Sequence, residues 1–167
     1  RATIERTTVA RNGLAGIELA LTAQAEVTDS TINDNGAPGM WVEDQASLTV
    51  TDTEISGNAG HGIGVDDRGE LSLFDCTVSD SKLLGIRIAG AAEARIERTQ
   101  VLRSGGYGVG LWEAPCVQLD DAFTGYVAGK ANVIPGPEDD DGNERGSVCP
   151  EEIDFLFDEQ GGTLDRR

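Results

Sequence analysis

The sequence predicts an all-β solenoid of parallel strands, on three observations. The first is a period: Ile4, Val27, Val50, Leu73 and Ile96 fall 23 residues apart, followed at constant offsets by Val9, Ile32, Ile55, Val78 and Val101, and then by Ile17, Met40, Ile63, Ile86 and Val109. Five copies run without insertion or deletion, and a repeat of this size means stacked units, none of which buries its own apolar face. The second is alternation: Leu48 with Val50 and Ile63 with Val65 are spaced as the inward residues of half-buried strands. The third is punctuation, with Gly16, Gly39, Gly62, Gly85 and Gly108 each one residue before the third apolar position, and Gly, Asn, Asp and Ser between the strands. Such a chain winds into coils and pairs each strand with its equivalent one coil later, a single-stranded parallel β-helix. Crossovers between parallel strands are right-handed in about 98% of cases, and that hand is expected here.

Taken in order, residues 1–115 make five regular coils, and residues 116–167 an irregular last coil, an acidic loop and a C-terminal cap of the same domain. Leu119 and Ile134 stand one period beyond Ile96 and Leu111 and mark the expected sixth coil. Residues 135–148 form a loop rich in Pro, Gly and acids. Pro150 followed by Glu151 and Glu152 suits the first turn of a short helix, and the apolar residues of Ile153 to Phe157 are expected to cover the last coil. Gly161 to Arg167 are expected to fray. Six coils at about 4.8 Å each give a rod of roughly 30 Å. The chain opens one residue before the first strand phase, without an initiator Met, a signal peptide or a stretch able to span a bilayer. The expectation is a fragment or processed product whose upstream sequence holds more coils or a cap, because an open end exposes strand edges and invites self-association there.

Asn35, Gly36, Gly39, Met40 and Val42, and again Gly57, Asn58, Gly62, Ile63 and Val65, resemble the coil of the right-handed parallel β-helix repeat family, the pectate-lyase-like superfamily. The resemblance covers residues 2 to about 112. It implies the fold, and it implies a range of activities: lyases, hydrolases, epimerases and adhesins share it. Polygalacturonase-like members carry an aspartate pair, a Gly-His-Gly coil and an Arg-x-Lys in successive coils. Here Gly60, His61 and Gly62 precede Asp66 and Asp67 within one coil, and Arg87 is followed by Ile88 and Ala89, so that order and its lysine are missing. A lyase of this kind needs an acid cluster for calcium beside a base, for which Arg87 and Lys82 are the residues available.

The net charge of −17 argues against nucleic acid as a partner. It suits a secreted protein, a cation-rich medium, calcium binding or salt adaptation, which composition does not separate. Cys76 shares the column of Thr7, Ser30, Thr53 and Thr99 and reads as a buried unpaired thiol. Cys116 and Cys149 flank the irregular coil, and a disulfide between them would pin the tail to the last coil and place the chain in an oxidising compartment: extracellular, periplasmic or cell-surface.

The columns also locate candidate sites. Asp29, Asp52 and Asp75 stand about 4.8 Å apart between Arg6 and Arg98; Asp34 and Asp80 repeat the motif between Arg11 and Arg103. Stacked carboxylates repel unless a cation relieves them, which makes Asp29, Asp52 and Asp75 candidate Ca²⁺ ligands. The other reading is turn chemistry, with inter-coil pairs such as Arg6 with Asp29 and Asp75 with Arg98. In the acidic loop, Asp139, Asp141 and Asn143 resemble a calcium-binding turn without the full EF-hand pattern, and a solvated acidic loop is the competing reading. Trp41, Glu43, Asp66 and Arg87 follow one outward face and form the candidate glycan surface, since a tryptophan stacks on a pyranose while charged groups bind its hydroxyls. His61 reads as an incidental surface residue. No cofactor is required. The function expected is a secreted or cell-surface module that binds a polysaccharide or surface glycan, or is structural and adhesive. The alternative is a polysaccharide lyase or glycoside hydrolase acting on acidic polysaccharide, with catalytic coils partly outside this sequence.

Overall fold

Residues one period apart are hydrogen-bonded neighbours. In the computed structural model, which describes residues 1–111 and 123–167, Ile4 pairs with Val27, Val27 with Val50, Val50 with Leu73 and Leu73 with Ile96, all in parallel register. Each regular coil supplies three strands. They are β1 (Ala2–Glu5), β2 (Thr8–Ala10) and β3 (Ile17–Leu19), then β4 (Gln24–Thr28), β5 (Thr31–Asn33) and β6 (Met40–Val42), then β7 (Ser47–Thr51), β8 (Glu54–Ser56) and β9 (Ile63–Val65). The fourth coil has β10 (Glu70–Phe74), β11 (Thr77–Ser79) and β12 (Ile86–Ile88), and the fifth β13 (Glu93–Glu97), β14 (Gln100–Leu102) and β15 (Tyr107–Leu111). After them come β16 (Tyr126–Lys130), β17 (Gly146–Cys149), a 3₁₀ helix (Glu151–Phe157) and β18 (Gly162–Asp165). The first sheet is ordered β1-β4-β7-β10-β13-β16-β18, the second β2-β5-β8-β11-β14, and the third β3-β6-β9-β12-β15-β17.

The chain turns between sheets at corners built on left-handed backbone. Arg6, Asp29, Asp52, Asp75 and Arg98 hold φ between 47° and 54° at the first corner, and Arg11, Asp34, Gly57, Asp80 and Arg103 between 48° and 64° at the second. Leu21, Asp44, Asp67 and Gly90 do the same at the third. Left-handed φ is disfavoured for L-residues, and aspartate is among the side chains that tolerate it best. The aspartate columns are therefore corner columns first.

Inside the coils, the three apolar columns are fully buried from the second coil to the fifth. Close approach explains the glycines that precede the third strand. A Cβ on Gly39 would stand 2.7 Å from the carbonyl oxygen of Gly62 one coil on, and a Cβ on Gly62 would stand 2.6 Å from that of Gly85 and 2.4 Å from Val78 Cγ1. Two polar ladders thread the same interior. Ser30, Thr53 and Thr99 each donate a hydroxyl to the carbonyl two residues earlier. Their oxygens also accept backbone N–H groups of the coil below, from Thr7, Ser30 and Cys76 respectively. In the second ladder Asn35 Oδ1 accepts from Asn12 N and Nδ2, and Asn58 Oδ1 accepts from Asn35 N and Nδ2. Buried amides must be paired, and these side chains pair them where the strands break.

The sixth coil lies later than the period predicts. Ile96 pairs with Gly129, not with the residue 23 places on, and Val133 bridges Gln100. Ile134 is buried against the Gly108 position rather than above Leu111. Leu119 lies outside the described residues. Once past the extra residues the polar logic resumes: Ala131 is again left-handed at the first corner, Asn132 Oδ1 accepts from Thr99 N, and Asn143 Oδ1 accepts from Ser104 N.

Both parts of the C-terminal segment are ordered. The 3₁₀ helix buries Ile153 and Leu156 against the last coil, as a cap must. Residues expected to fray instead form β18, which pairs antiparallel with β16. That strand satisfies the outer edge of β16, and Arg167 fastens it through Asp165 and Glu93 and by lying 4.5 Å from the Tyr126 ring centre.

Candidate functional site

Of the candidate metal ligands, Asp52 and Asp75 line one open depression with Thr53, Glu54 and Thr77. Asp75 takes both of its hydrogen bonds from Arg98 at 2.8 Å, and the guanidinium holds its carboxyl below the usual carboxylate range. Asp80 is lowered in the same way by Arg103. Arg6, expected on Asp29, is paired instead with Glu5 at 3.2 Å. Asp29 and Asp52 have no ion pair among the described residues, and each sits at a left-handed corner. In the acidic loop Asp139 Oδ2 accepts from Gly136 N, and Asp141 is bound by Arg103 at 2.8 Å. Asn143 is fully buried, and its Nδ2 donates to the carbonyls of Val101 and Pro135. Its amide closes the asparagine ladder and is not available as a ligand. Among the described residues no three His, Cys, Asp or Glu side chains come together as a cation would need.

The candidate glycan residues do come together. Trp41, Gly64 and Arg87 are successive rungs of one outward column in the third sheet. The missing side chain at Gly64 lets the indole lie down along the column: a Cβ there would stand 2.2 Å from Trp41 Cζ3. The ring then meets Arg87, whose guanidinium carbon is 5.4 Å from the ring centre. Arg87 Nη1 donates to Asp66 Oδ2 at 3.0 Å, and Trp41 Nε1 donates to Glu43 Oε2 at 3.1 Å. All four expected residues thus form one connected set.

Two of the expectations about this face are corrected. Arg87 was expected open to a ligand, and it is only 5% exposed; the ring and the Asp66 carboxylate occupy it, so it positions both. His61, expected at the surface, is 4% exposed, its Nδ1 accepts from Leu84 N at 3.2 Å, and its ring stacks on Trp41 with centres 6.4 Å apart. The face left for a ligand is the half-buried Trp41 ring with Glu43 at its edge. One residue further round the third corner, Asp44, Gln45, Asp67, Arg68, Gly90 and Ala91 line an open depression of about 490 Å³.

Cys76 is a buried free thiol, as its column suggests. It donates to the Phe74 carbonyl at 3.1 Å, and burial pushes its pKa up to about 11. Cys149 is buried at the end of β17; its expected partner Cys116 lies outside the described residues. No helix of the described residues is long and apolar enough to cross a membrane.

Compared with known families, residues 1–120 match the model described as the right handed beta helix region. No curated protein and no solved structure matches the chain.

Proposed function

We propose that this chain, which belongs to the right-handed β-helix family, is a secreted or cell-surface module that binds carbohydrate on the third sheet. One observation carries the reading: an aromatic ring laid flat on the sheet and held there from three sides. Gly64 admits the ring, Arg87 and His61 pack against it, and Glu43 takes its N–H. An aromatic surface of this kind offers hydrophobic area to the C–H face of a sugar without having to be ordered on binding. Glu43 beside it, and Asp44, Asp67 and Arg68 around the adjoining depression, supply hydroxyl partners. Rigid rungs suit a long glycan, since successive coils repeat every 4.8 Å or so and present a straight surface.

Of the six candidate cation ligands, Asp75 and Asp141 have arginine partners, and the reading makes use of none of the six. An extracellular or periplasmic setting is consistent with the charge of −17 and with a disulfide between Cys149 and Cys116 at the cap, which mass spectrometry of the unreduced protein would detect. The functional test is binding to an array of neutral and acidic polysaccharides. The expected result is saturable binding that Trp41→Ala lowers at least tenfold at a temperature where circular dichroism shows both proteins folded, since the lost packing on Arg87 and His61 also lowers the thermal midpoint. Release of unsaturated product from polyuronides, lost in Arg87→Ala, would instead favour a lyase.

A further inference from the structure

Around Trp41 the third sheet offers a ligand hydrogen-bond acceptors and few donors. Trp41 commits its ring N–H to Glu43 Oε2 at 3.1 Å, and Arg87 donates Nη1 to Asp66 Oδ2 at 3.0 Å. Asp66 Oδ1 is engaged as well, by the backbone N–H of Asp67. What remains beside the ring is carboxylate oxygen. Glu18 is exposed on the rung next to Trp41, in parallel register with it. Neither of its oxygens accepts a hydrogen bond among the described residues, and Glu43 uses only Oε2. Along the adjoining depression, Asp44 accepts the Leu21 N–H at 2.8 Å with Oδ2 alone, and the Asp67 carboxylate accepts nothing among the described residues.

Charge follows the same pattern. Glu18, Glu43, Asp44 and Asp67 set four carboxylates around the ring and the depression, against the one exposed guanidinium of Arg68. Arg87 does not offset them, because it is 5% exposed and Asp66 balances its charge. Acidity alone marks no site in a chain of net charge −17. Here it surrounds an aromatic ring fixed in place, and that ring already attracts a cation, with the Arg87 guanidinium carbon 5.4 Å from its centre. A uronic acid polymer would bring like charge against these carboxylates, which is costly. A neutral sugar gains ordinary hydrogen bonds. An ammonium is all donor with no acceptor, and its bonds to carboxylates are about twice as strong as neutral ones.

We propose, resting on the carbohydrate reading of this sheet, that its ligand is a polymer of amino sugars whose amines are unsubstituted and protonated. A pyranose lies with its C–H face on the Trp41 ring, and its ammonium donates to Glu43 Oε1 and to Glu18. The sugars that follow cross the third corner past Asp44 and Asp67. The ring supplies hydrophobic contact, and the carboxylates choose the sugar.

The test measures, by calorimetry on the full chain, the binding of linear oligomers of glucosamine, N-acetylglucosamine, glucose and galacturonic acid, all of one length. At about pH 6 and about 0.15 M salt both the amine and the carboxylates are ionised. The glucosamine oligomer should bind about tenfold or more tighter than the N-acetylated and glucose oligomers, and the galacturonic acid oligomer weakest of all. Glu18→Gln with Glu43→Gln should shrink that preference to about threefold or less. Glu26→Gln with Glu70→Gln removes the same charge from the first sheet, and should leave the preference within about twofold of the parent's. Glucose or galacturonic acid oligomers bound as tightly as glucosamine, and lost in Trp41→Ala, would overturn the amine specificity and leave the carbohydrate reading standing. Glucosamine binding indifferent to Trp41→Ala, and lowered equally by both glutamate pairs, would be attraction of a polycation to an acidic chain and would overturn the site. Failure of every oligomer to bind would overturn the proposal and the carbohydrate reading together.

Discussion

Two kinds of residue hold neighbouring coils at their close spacing, and each predicts a different failure. The glycines before the third strand have no room for a methyl group. Alanine at Gly62 would press on the Gly85 carbonyl at 2.6 Å and on Val78 at 2.4 Å; backbone cannot yield as a side-chain tip can. Gly62→Ala is expected to lower stability by about 2 kcal/mol or more, read as a fall in the denaturant midpoint. The ladder residues fail by loss of partners. Asn58→Ala removes the acceptor of Asn35 N and Nδ2 and the donor to Ile32 O, all buried, and about 3 kcal/mol is expected to go with them. Cys76 gives a third expectation at this scale. With its pKa near 11 and its side chain enclosed, it should resist alkylation at neutral pH in the folded protein and react at once on unfolding. Fast labelling of the native state would contradict its place in the hydroxyl ladder.

At the scale of strands and corners, most of the molecule was legible in the sequence. The register of β4, β7, β10 and β13 follows directly from Val27, Val50, Leu73 and Ile96, because a solenoid repeats its environment and hence its residue types. The aspartate columns were legible as columns, and of their two readings the corner geometry supports turn chemistry. The sixth coil was misplaced, since the period is lost where extra residues intervene and Gly129 offers no apolar mark above Ile96. Asn143 was obscured by its acidic neighbours; its role depends on Val101 and Ser104, about forty residues earlier. The indole that crosses Gly64 packs on both Arg87 and His61, and periodicity carries no information about where a long side chain lies. The corners also make stability depend on pH. Asp75 and Asp80 have carboxyls held below their ordinary value of 3.8 by Arg98 and Arg103. A lowered pKa contributes stability above the unfolded value, and that contribution disappears as pH falls through the folded value. The thermal midpoint should therefore decline below about pH 4, and the decline should be shallower in Asp75→Asn with Asp80→Asn. A profile unchanged by those substitutions would show that the two pairs contribute nothing measurable.

At the scale of the whole molecule, the described residues form one stack of parallel coils. The 3₁₀ helix and β18 close the C-terminal side by covering apolar surface and by occupying the edge of β16, both of which suppress edge-to-edge association. Between the ends, the third sheet carries Trp41 on a straight surface, and the proposed glycan site relies on that straightness. Everything rests on the equivalence of one period and one rung. Thr3, Glu26, Thr49, Ser72, Arg95 and Ala128 are successive partners in the first sheet. Spin labels at Thr3 with Ser72, Glu26 with Ala128, and Thr3 with Ala128 span three, four and five coil steps, and pulsed electron resonance measures the separations. Mean distances rising in equal steps of about 4.8 Å per coil are predicted, and distances that fail to rise with the number of coils spanned would contradict the stack.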